Sequence, residues 1–357
     1  MAAYYLERLR ILVVDDNAFT RNLLTDILKT FGVGEVIKAA DGAQAVSVLR
    51  HGVRGEIRHI DIVITDVYMP SISGIRLVQW IRQSQHSPNR FMPVIMMSGA
   101  ADDESVGHAR DSGANEFLAK PFSPGSVSER LFALIDRPRQ FVAAANYFGP
   151  DRKRRKDSDV EIDRRETDDS DANVIYSPDM IVRPKEPGEI YFFRLPNGLR
   201  EKVGGGPGDA GALPPAILEE ADRVVGETAE DFRGWILDYI GSISKLCDAA
   251  SERPIKHRTR FFGQVHDLAH ELRGQGGMFG FPIITAVGEM LYAITGEGCD
   301  MGDRSIDLVR AHLDTMHRVF LDRIEGDGGD VGQELVRELR VRVERSVAKV
   351  GKDEPPA

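Results

Sequence analysis

RILVVDDN, residues 10–17, is a short apolar run that ends in two adjacent carboxylates. An uninterrupted apolar run of this length fits a strand buried on both faces. Residues 17–30 then show the three- and four-residue apolar spacing of a helix. The couplet recurs along the chain: EVIKAA (35–40) precedes an amphipathic 43–49, and DIVITD (61–66) precedes 74–82. MPVIMMS (92–98) precedes 103–111, and EFLAKP (116–121) precedes 127–135. Strand-like runs alternating with helices predict a parallel sheet covered on both faces. The five units fit one α/β doubly wound, five-stranded domain over residues 9–137.

Outward from that domain the composition changes. The stretch 151–173, DRKRRKDSDVEIDRRETDDSDAN, is nearly all charge with both signs mixed, the signature of a solvated connection. Residues 174–203 carry apolar pieces broken by proline and glycine, a candidate docking segment, and GGGPGDAGALPP (204–215) is rich in turn residues. Residues 138–213 therefore read as a charged, largely flexible linker. From 214 to 351 the pattern is helical, over 217–225, 229–249, 261–278, 283–295, 306–324 and 335–350, with no period-two alternation. An all-helical bundle is expected there.

The totals narrow the function classes. A chain of 357 residues suits two domains plus a connection. A formal charge of −10 argues against a nucleic-acid binder. The two cysteines, Cys247 and Cys299, are too few for a disulfide framework or a cysteine metal site. No signal-peptide pattern and no apolar run of membrane length is seen, so a cytoplasmic protein with no membrane partner is expected.

In a doubly wound sheet, ligands bind beyond the carboxyl ends of the strands. Here those ends carry Asp15 and Asp16, Asp66, Ser98 and Lys120. Three carboxylates brought together repel unless a cation joins them, and an oxygen-only donor set suits Mg²⁺. A lysine opposite would offset an incoming phosphoryl group, and a hydroxyl could bond one of its oxygens.

VVDDN, DIVITDVYMP, VIMMSGA and FLAKPF resemble, in order and spacing, the four signature regions of the receiver domain of two-component response regulators. The resemblance covers about the first 135 residues, and only the combination is specific. It implies that Asp66 is the nucleophile accepting a phosphoryl group from a phosphohistidine. Asp16 and Asp66 would hold Mg²⁺ directly, Asp15 through water, and the backbone carbonyl of Tyr68 would be a further ligand. Lys120, with a cis peptide to Pro121, would contact the phosphoryl group, Ser98 would move toward it, and Phe117 would be the aromatic switch. Ser98 stands for the more frequent threonine, and Phe117 lacks the hydroxyl of tyrosine. Tyr68 and Ala100 lie where the family tunes loss of the phosphoryl group. The implied partner is a sensor histidine kinase or a phosphotransfer protein. The implied activity is that of a phosphoacceptor with slow self-dephosphorylation rather than an enzyme.

The predicted helix 261–278 poses a separate question. AHELRGQGGMFG (269–280) spends its glycines beside His270, although each glycine inside a helix costs about 0.5–1 kcal/mol relative to alanine. At 100° per residue, Phe261, Val265, Leu268, Ala269 and Leu272 form the apolar face, and His270 falls away from its centre. Gly263, His266, Gly274 and Gly277 lie close to the direction of His270, Arg273 borders them, and Gly276 points to the core, where another helix could come close. The stretch resembles the signature of histidine-containing phosphotransfer (HPt) domains. That resemblance implies a phosphoacceptor at His270, assisted by Arg273 where the family usually has lysine, with Gly274 and Gly277 keeping its surroundings open. HDLAH (266–270) is also similar to the zinc motif H-E-x-x-H, with Glu289 as third ligand, but Asp267 replaces the glutamate base.

The combined expectation is a phosphorelay protein using Asp66 and His270, with Mg²⁺ as cofactor and a second receiver as a further partner. The alternative is a phosphorylation-switched receiver acting on a degenerate HPt-like binding or dimerisation module. A flexible connection of about 70 residues would have a typical span near 45–50 Å.

Overall fold

β1 (Arg10–Val14) buries Ile11, Leu12, Val13 and Val14 completely, so both of its faces are covered. This is the reason its sequence shows no alternation. It pairs in parallel with β2 (Glu35–Ala39) on one side and β3 (Ile62–Asp66) on the other. β4 (Val94–Ser98) and β5 (Glu116–Ala119) complete a five-stranded sheet in the order β2-β1-β3-β4-β5. In the computed structural model the described residues are 4–53, 59–69, 71–98, 112–151, 174–180, 182, 184, 189–206, 208–276, 281–296, 298–324, 326 and 328–350. Among them, no helix is long and apolar enough to cross a membrane.

The helices of this sheet start where side chains cap them. Asn17 accepts the N–H of Thr20 at 2.9 Å and opens α1 (Ala18–Thr30). α2 (Gly42–Val53) follows β2, and Ser73 caps α3 (Gly74–Gln83). Ser123 and Ser126 form a capping box ahead of α4 (Pro124–Asp136), with proline at its first turn. One layer of the core packs Leu12, Val14, Val63, Val94 and Met96 against Leu49, Leu77, Val78 and Ile81. The helix expected over 103–111 lies outside the described residues.

Within 138–213, expected as a largely flexible connection, the described residues form a second sheet. β6 (Phe141–Ala144) and β7 (Tyr147–Pro150) form a hairpin, and β9 (Tyr191–Phe193) pairs with β6 and with β8 (Val174–Ile175), in the order β7-β6-β9-β8. Phe141, Ala143, Ile175 and Phe193 form its core, and the Arg90 guanidinium stacks 3.4 Å from the Phe148 ring centroid. These strands have two to four residues each, too short for a period to register in the sequence.

The chain then clasps the end of α4. Asn197 donates to the Ile135 carbonyl at 2.6 Å, and the Arg200 guanidinium reaches the Asp136 carbonyl. Lys202 pairs with Asp61 at 2.5 Å, and the Tyr4 hydroxyl donates to Asp136 at 2.6 Å. A short α5 (Gly198–Lys202) carries two of these contacts. The charged stretch 152–173 lies outside the described residues.

α6 (Pro215–Ser251) is one helix where the sequence predicted two, 217–225 and 229–249. A side chain at Gly226 would meet nothing, so this glycine is an interior position tolerated at about 1 kcal/mol, not a break. Two compact units divide inside this helix, between Val224 and Val225. In the second unit α6 continues into α7 (Thr259–Gln275), α8 (Pro282–Thr295), α9 (Asp303–Leu321) and α10 (Gly329–Val350). Their core holds Ile236, Val265, Leu272, Val287, Leu291, Met316 and Phe320. Arg258 fastens the α6–α7 turn, donating to the carbonyls of Arg253 at 2.9 Å and Met301 at 3.0 Å and pairing with Asp303 at 2.7 Å.

Candidate functional site

The order β2-β1-β3-β4-β5 reverses direction between β1 and β3, so the crevice of this sheet opens beyond their carboxyl ends. Val14 and Thr65 are in register across that pair, which sets Asp15 and Asp66 side by side. Carboxylate oxygens of Asp15, Asp16 and Asp66 lie within 4.8 Å of one another, the one such group among the described residues. Lys120 follows β5 and donates from Nζ to Asp15 Oδ2 and to Asp66 Oδ2, both at 2.8 Å. The other oxygens are held by backbone: Asp15 Oδ1 accepts the Asn17 N–H at 2.8 Å, and Asp66 Oδ1 accepts the Val67 N–H at 2.7 Å.

Burial pushes the Asp15 carboxyl up to about 6, with Lys120 pulling it down and Asp66 pushing it up again. Burial alone would lower Lys120, but the carboxylates of Asp15 and Asp66 hold its ammonium form well above the ordinary lysine range. The set gathers three acids beside one lysine, and all the donors are oxygens, so its chemistry fits Mg²⁺.

Residues 11–132 match the family model for the response regulator receiver domain. The chain belongs to the response regulator receiver family. The receiver is 30% identical over 137 residues to the chemotaxis protein CheY-3 of Vibrio cholerae, covering 38% of this chain and 99% of that protein. It is 27% identical to the chemotaxis protein CheY of Pseudomonas aeruginosa, over 36% of this chain and 98% of that one. A probable transcriptional regulator, ycf27 of Porphyridium aerugineum, is 30% identical over 37% of this chain and 50% of its own length. A receiver is a phosphoacceptor signalling domain and implies a histidine kinase partner in general. These matches leave the family of the C-terminal helical region unidentified.

Within the receiver, Ser98 ends β4 buried and in register with Ala119, the neighbour of Lys120. The peptide between Lys120 and Pro121 is cis. Phe117 is half-buried against the core layer that holds Val14 and Met96, and Tyr68 is exposed beside the acids. Ala100 lies outside the described residues.

Three contributors were missed by sequence reasoning. Gly74 opens α3 so close to the acidic strand that a Cβ there would sit 1.9 Å from the Asp66 carbonyl oxygen. Its N–H donates to the Val67 carbonyl at 3.0 Å, which draws the α3 start over the end of β3. Arg21, one turn into α1, donates to the Asp15 carbonyl, and Asn17 both caps α1 and binds Asp15. A serine cap followed by glycine just after an acidic strand end was the available signal for Gly74.

In the bundle, His270 stands exposed on α7. Gly276 does face the neighbouring helix, as its position implied: a Cβ there would meet the Thr285 N at 2.6 Å and Ile284 Cβ at 2.9 Å. A side chain at Gly263 would meet nothing within 4 Å. Gly274 lies within α7, and Gly277 lies outside the described residues. His266 is not gathered with His270 and Glu289 into a metal-ligand group. It instead stacks on Tyr292 and bonds Thr295 Oγ1 at 3.2 Å.

Proposed function

We propose that the protein is a two-component phosphorelay component that accepts a phosphoryl group on Asp66 and on His270. The observation that carries the first half is Lys120 bridging Asp15 and Asp66 at 2.8 Å within a triad of acids. Asp66 Oδ1 is tied to backbone and Oδ2 to the Lys120 ammonium, so the attacking carboxylate is held in one orientation before the donor arrives. Attack by an Asp66 oxygen forms the new P–O bond while the P–N bond of a phosphohistidine breaks. The electron pair leaves with the imidazole nitrogen. Lys120 then turns from the carboxylates to the phosphoryl oxygens, and the Ser98 hydroxyl donates to another of them.

Mg²⁺, when bound, supplies charge neutralisation at the acids and at the phosphoryl group. Asp16, Asp66 and the Tyr68 carbonyl would hold it, with Asp15 through water.

The second half rests on an exposed imidazole with an arginine one turn on. A ring nitrogen of His270 attacks the phosphorus of a phosphorylated receiver aspartate, the N–P bond forms and the P–O bond breaks, and the carboxylate leaves with the electron pair. The proton on the other ring nitrogen equilibrates with solvent. Arg273 offsets the phosphoryl charge. Phosphoryl flow in the opposite direction uses the same groups.

Radiolabelled transfer from a small-molecule phosphodonor with Mg²⁺, and then from histidine kinases, tests both halves. Asp66→Ala should remove the base-labile acyl phosphate, and His270→Gln the acid-labile, base-stable phosphohistidine. Label confined to Asp66 with every donor would replace the relay by a receiver that switches a binding or dimerisation module.

A further inference from the structure

We propose that Tyr292 is the positioning residue of the His270 site, clamping the side chains that would carry and neutralise the phosphoryl group. The proposal rests on the reading of His270 as a phosphoacceptor and adds the device that orients it.

The device begins with two glycines. Gly276 at the end of α7 packs against the start of α8, and a Cβ at Gly288 would lie 2.9 Å from the Arg273 N and 3.0 Å from Leu272 Cβ. Any side chain at either point would hold the helices apart. Tyr292 follows Gly288 by one helical turn, so the close approach delivers its ring to the exposed edge of α7.

Three α7 residues meet that ring. His266 stacks on it with centroids 4.2 Å apart and planes 25° from parallel. The Arg273 guanidinium carbon lies 4.5 Å from its centroid. The His270 ring is 5.8 Å away and tilted by 44°. Positions 266 and 273 are separated by about 10 Å along a helix axis, and the Tyr292 ring contacts side chains from both. His270 lies between them in sequence and tilts against the same ring.

The stack is anchored in turn. The Thr295 hydroxyl donates to the Leu291 carbonyl at 2.8 Å and lies 3.2 Å from His266 Nδ1. The stacking and this contact together fix the plane of the His266 ring. A cation over an aromatic ring and an imidazole tilted against it both restrict side chains that would otherwise sample several rotamers. Tyr292 thus presents Arg273 and His270 as a pre-oriented pair, on an open face that an incoming protein surface can reach. It touches no reacting atom itself.

The test compares full-length wild type, Tyr292→Phe and Tyr292→Leu. With Mg²⁺ and a phosphorylated receiver, Tyr292→Leu should slow labelling of His270 by roughly tenfold at saturating donor. Tyr292→Phe keeps the ring and should retain the wild-type rate. The thermal midpoint is measured alongside, and the ring-current shift of the His270 Hε1 proton is read without any label. That shift should move in Tyr292→Leu and stay in Tyr292→Phe.

Wild-type labelling rates in Tyr292→Leu would overturn the proposal, as would equal losses in both variants accompanied by bundle unfolding. If wild type takes no label on His270, the phosphoacceptor reading fails. The proton shift then decides on Tyr292 separately, and an unmoved signal in Tyr292→Leu overturns the clamp as well.

Discussion

The receiver crevice and the α7 face hold Asp66 and His270 in opposite ways. Asp15 is fully buried and the Asp66 side chain is only 13% exposed, whereas His270 stands in solvent. The carboxylates gain their orientation from backbone N–H groups and a lysine, at the cost of desolvated charge. His270 keeps its hydration, and its surroundings order it through ring contacts. Under the proposed relay, a site that takes up a small phosphoryl group can sit in a crevice, whereas an imidazole that would meet another protein has to stand at the surface.

The sharpest way to break this comparison is pH, because buried titratable groups on the two sides respond with opposite sign. His312 on α9 is fully buried, its Nδ1 lies 2.7 Å from the Leu308 carbonyl, and its Nε2 has no partner among the described residues. Burial pushes its imidazole down to about 4 from 6.5, so the folded bundle disfavours the proton. Stability from this residue is complete above pH 6.5 and is lost as pH falls toward 4, on the order of 3 kcal/mol. Asp15 is raised from 3.8 to about 6, so its contribution is complete below pH 3.8 and is lost as pH rises through 6 in the absence of Mg²⁺. The chain has two tryptophans, Trp80 in the receiver and Trp235 in the bundle. Denaturation of Trp235→Phe and Trp80→Phe by fluorescence therefore reads each unit alone. Midpoints that move together between pH 4 and 6.5 would refute the contrast.

A smaller effect is expected at the glycine under Asp66. Gly74→Ala must displace a backbone carbonyl, and should cost the receiver about 2–3 kcal/mol and slow phosphorylation of Asp66. Urea denaturation through Trp80 and radiolabelling check the two parts. Next in size, Lys120→Met removes the ammonium that bridges the carboxylates of Asp15 and Asp66. Mg²⁺ should then bind about tenfold more tightly by calorimetry while phosphorylation slows. The smallest change is Gly263→Ala on the exposed face of α7, where a Cβ meets nothing. It should raise bundle stability by about 0.5–1 kcal/mol through helix propensity, measured by urea denaturation through Trp235.

How much was legible follows from distance along the chain. The alternation of β-branched runs with helices gave the parallel sheet, because strands buried on both faces leave an unbroken apolar stretch. The strand order placed Asp15, Asp16, Asp66 and Lys120 together for the same reason: each sits at or just past a strand's carboxyl end. The direction of Gly276 was also readable from helical periodicity alone. Harder were the strands of the second sheet, each two to four residues long, and the unbroken α6, where Gly226 imitated a stop. Gly288 and Tyr292 gave no local signal at all, since their roles exist only against the facing helix.

What the sequence determined by itself is the receiver fold and the set of groups at its crevice, because period and position are local properties of a chain. Tertiary structure alone decided which glycine lies under Asp66 and which aromatic ring clamps His266 and Arg273. It also decided that the stretch after the receiver returns to pair as a sheet and clasp α4. Each of these is a contact between surfaces distant in sequence, and close packing selects such pairs by shape once both elements already exist.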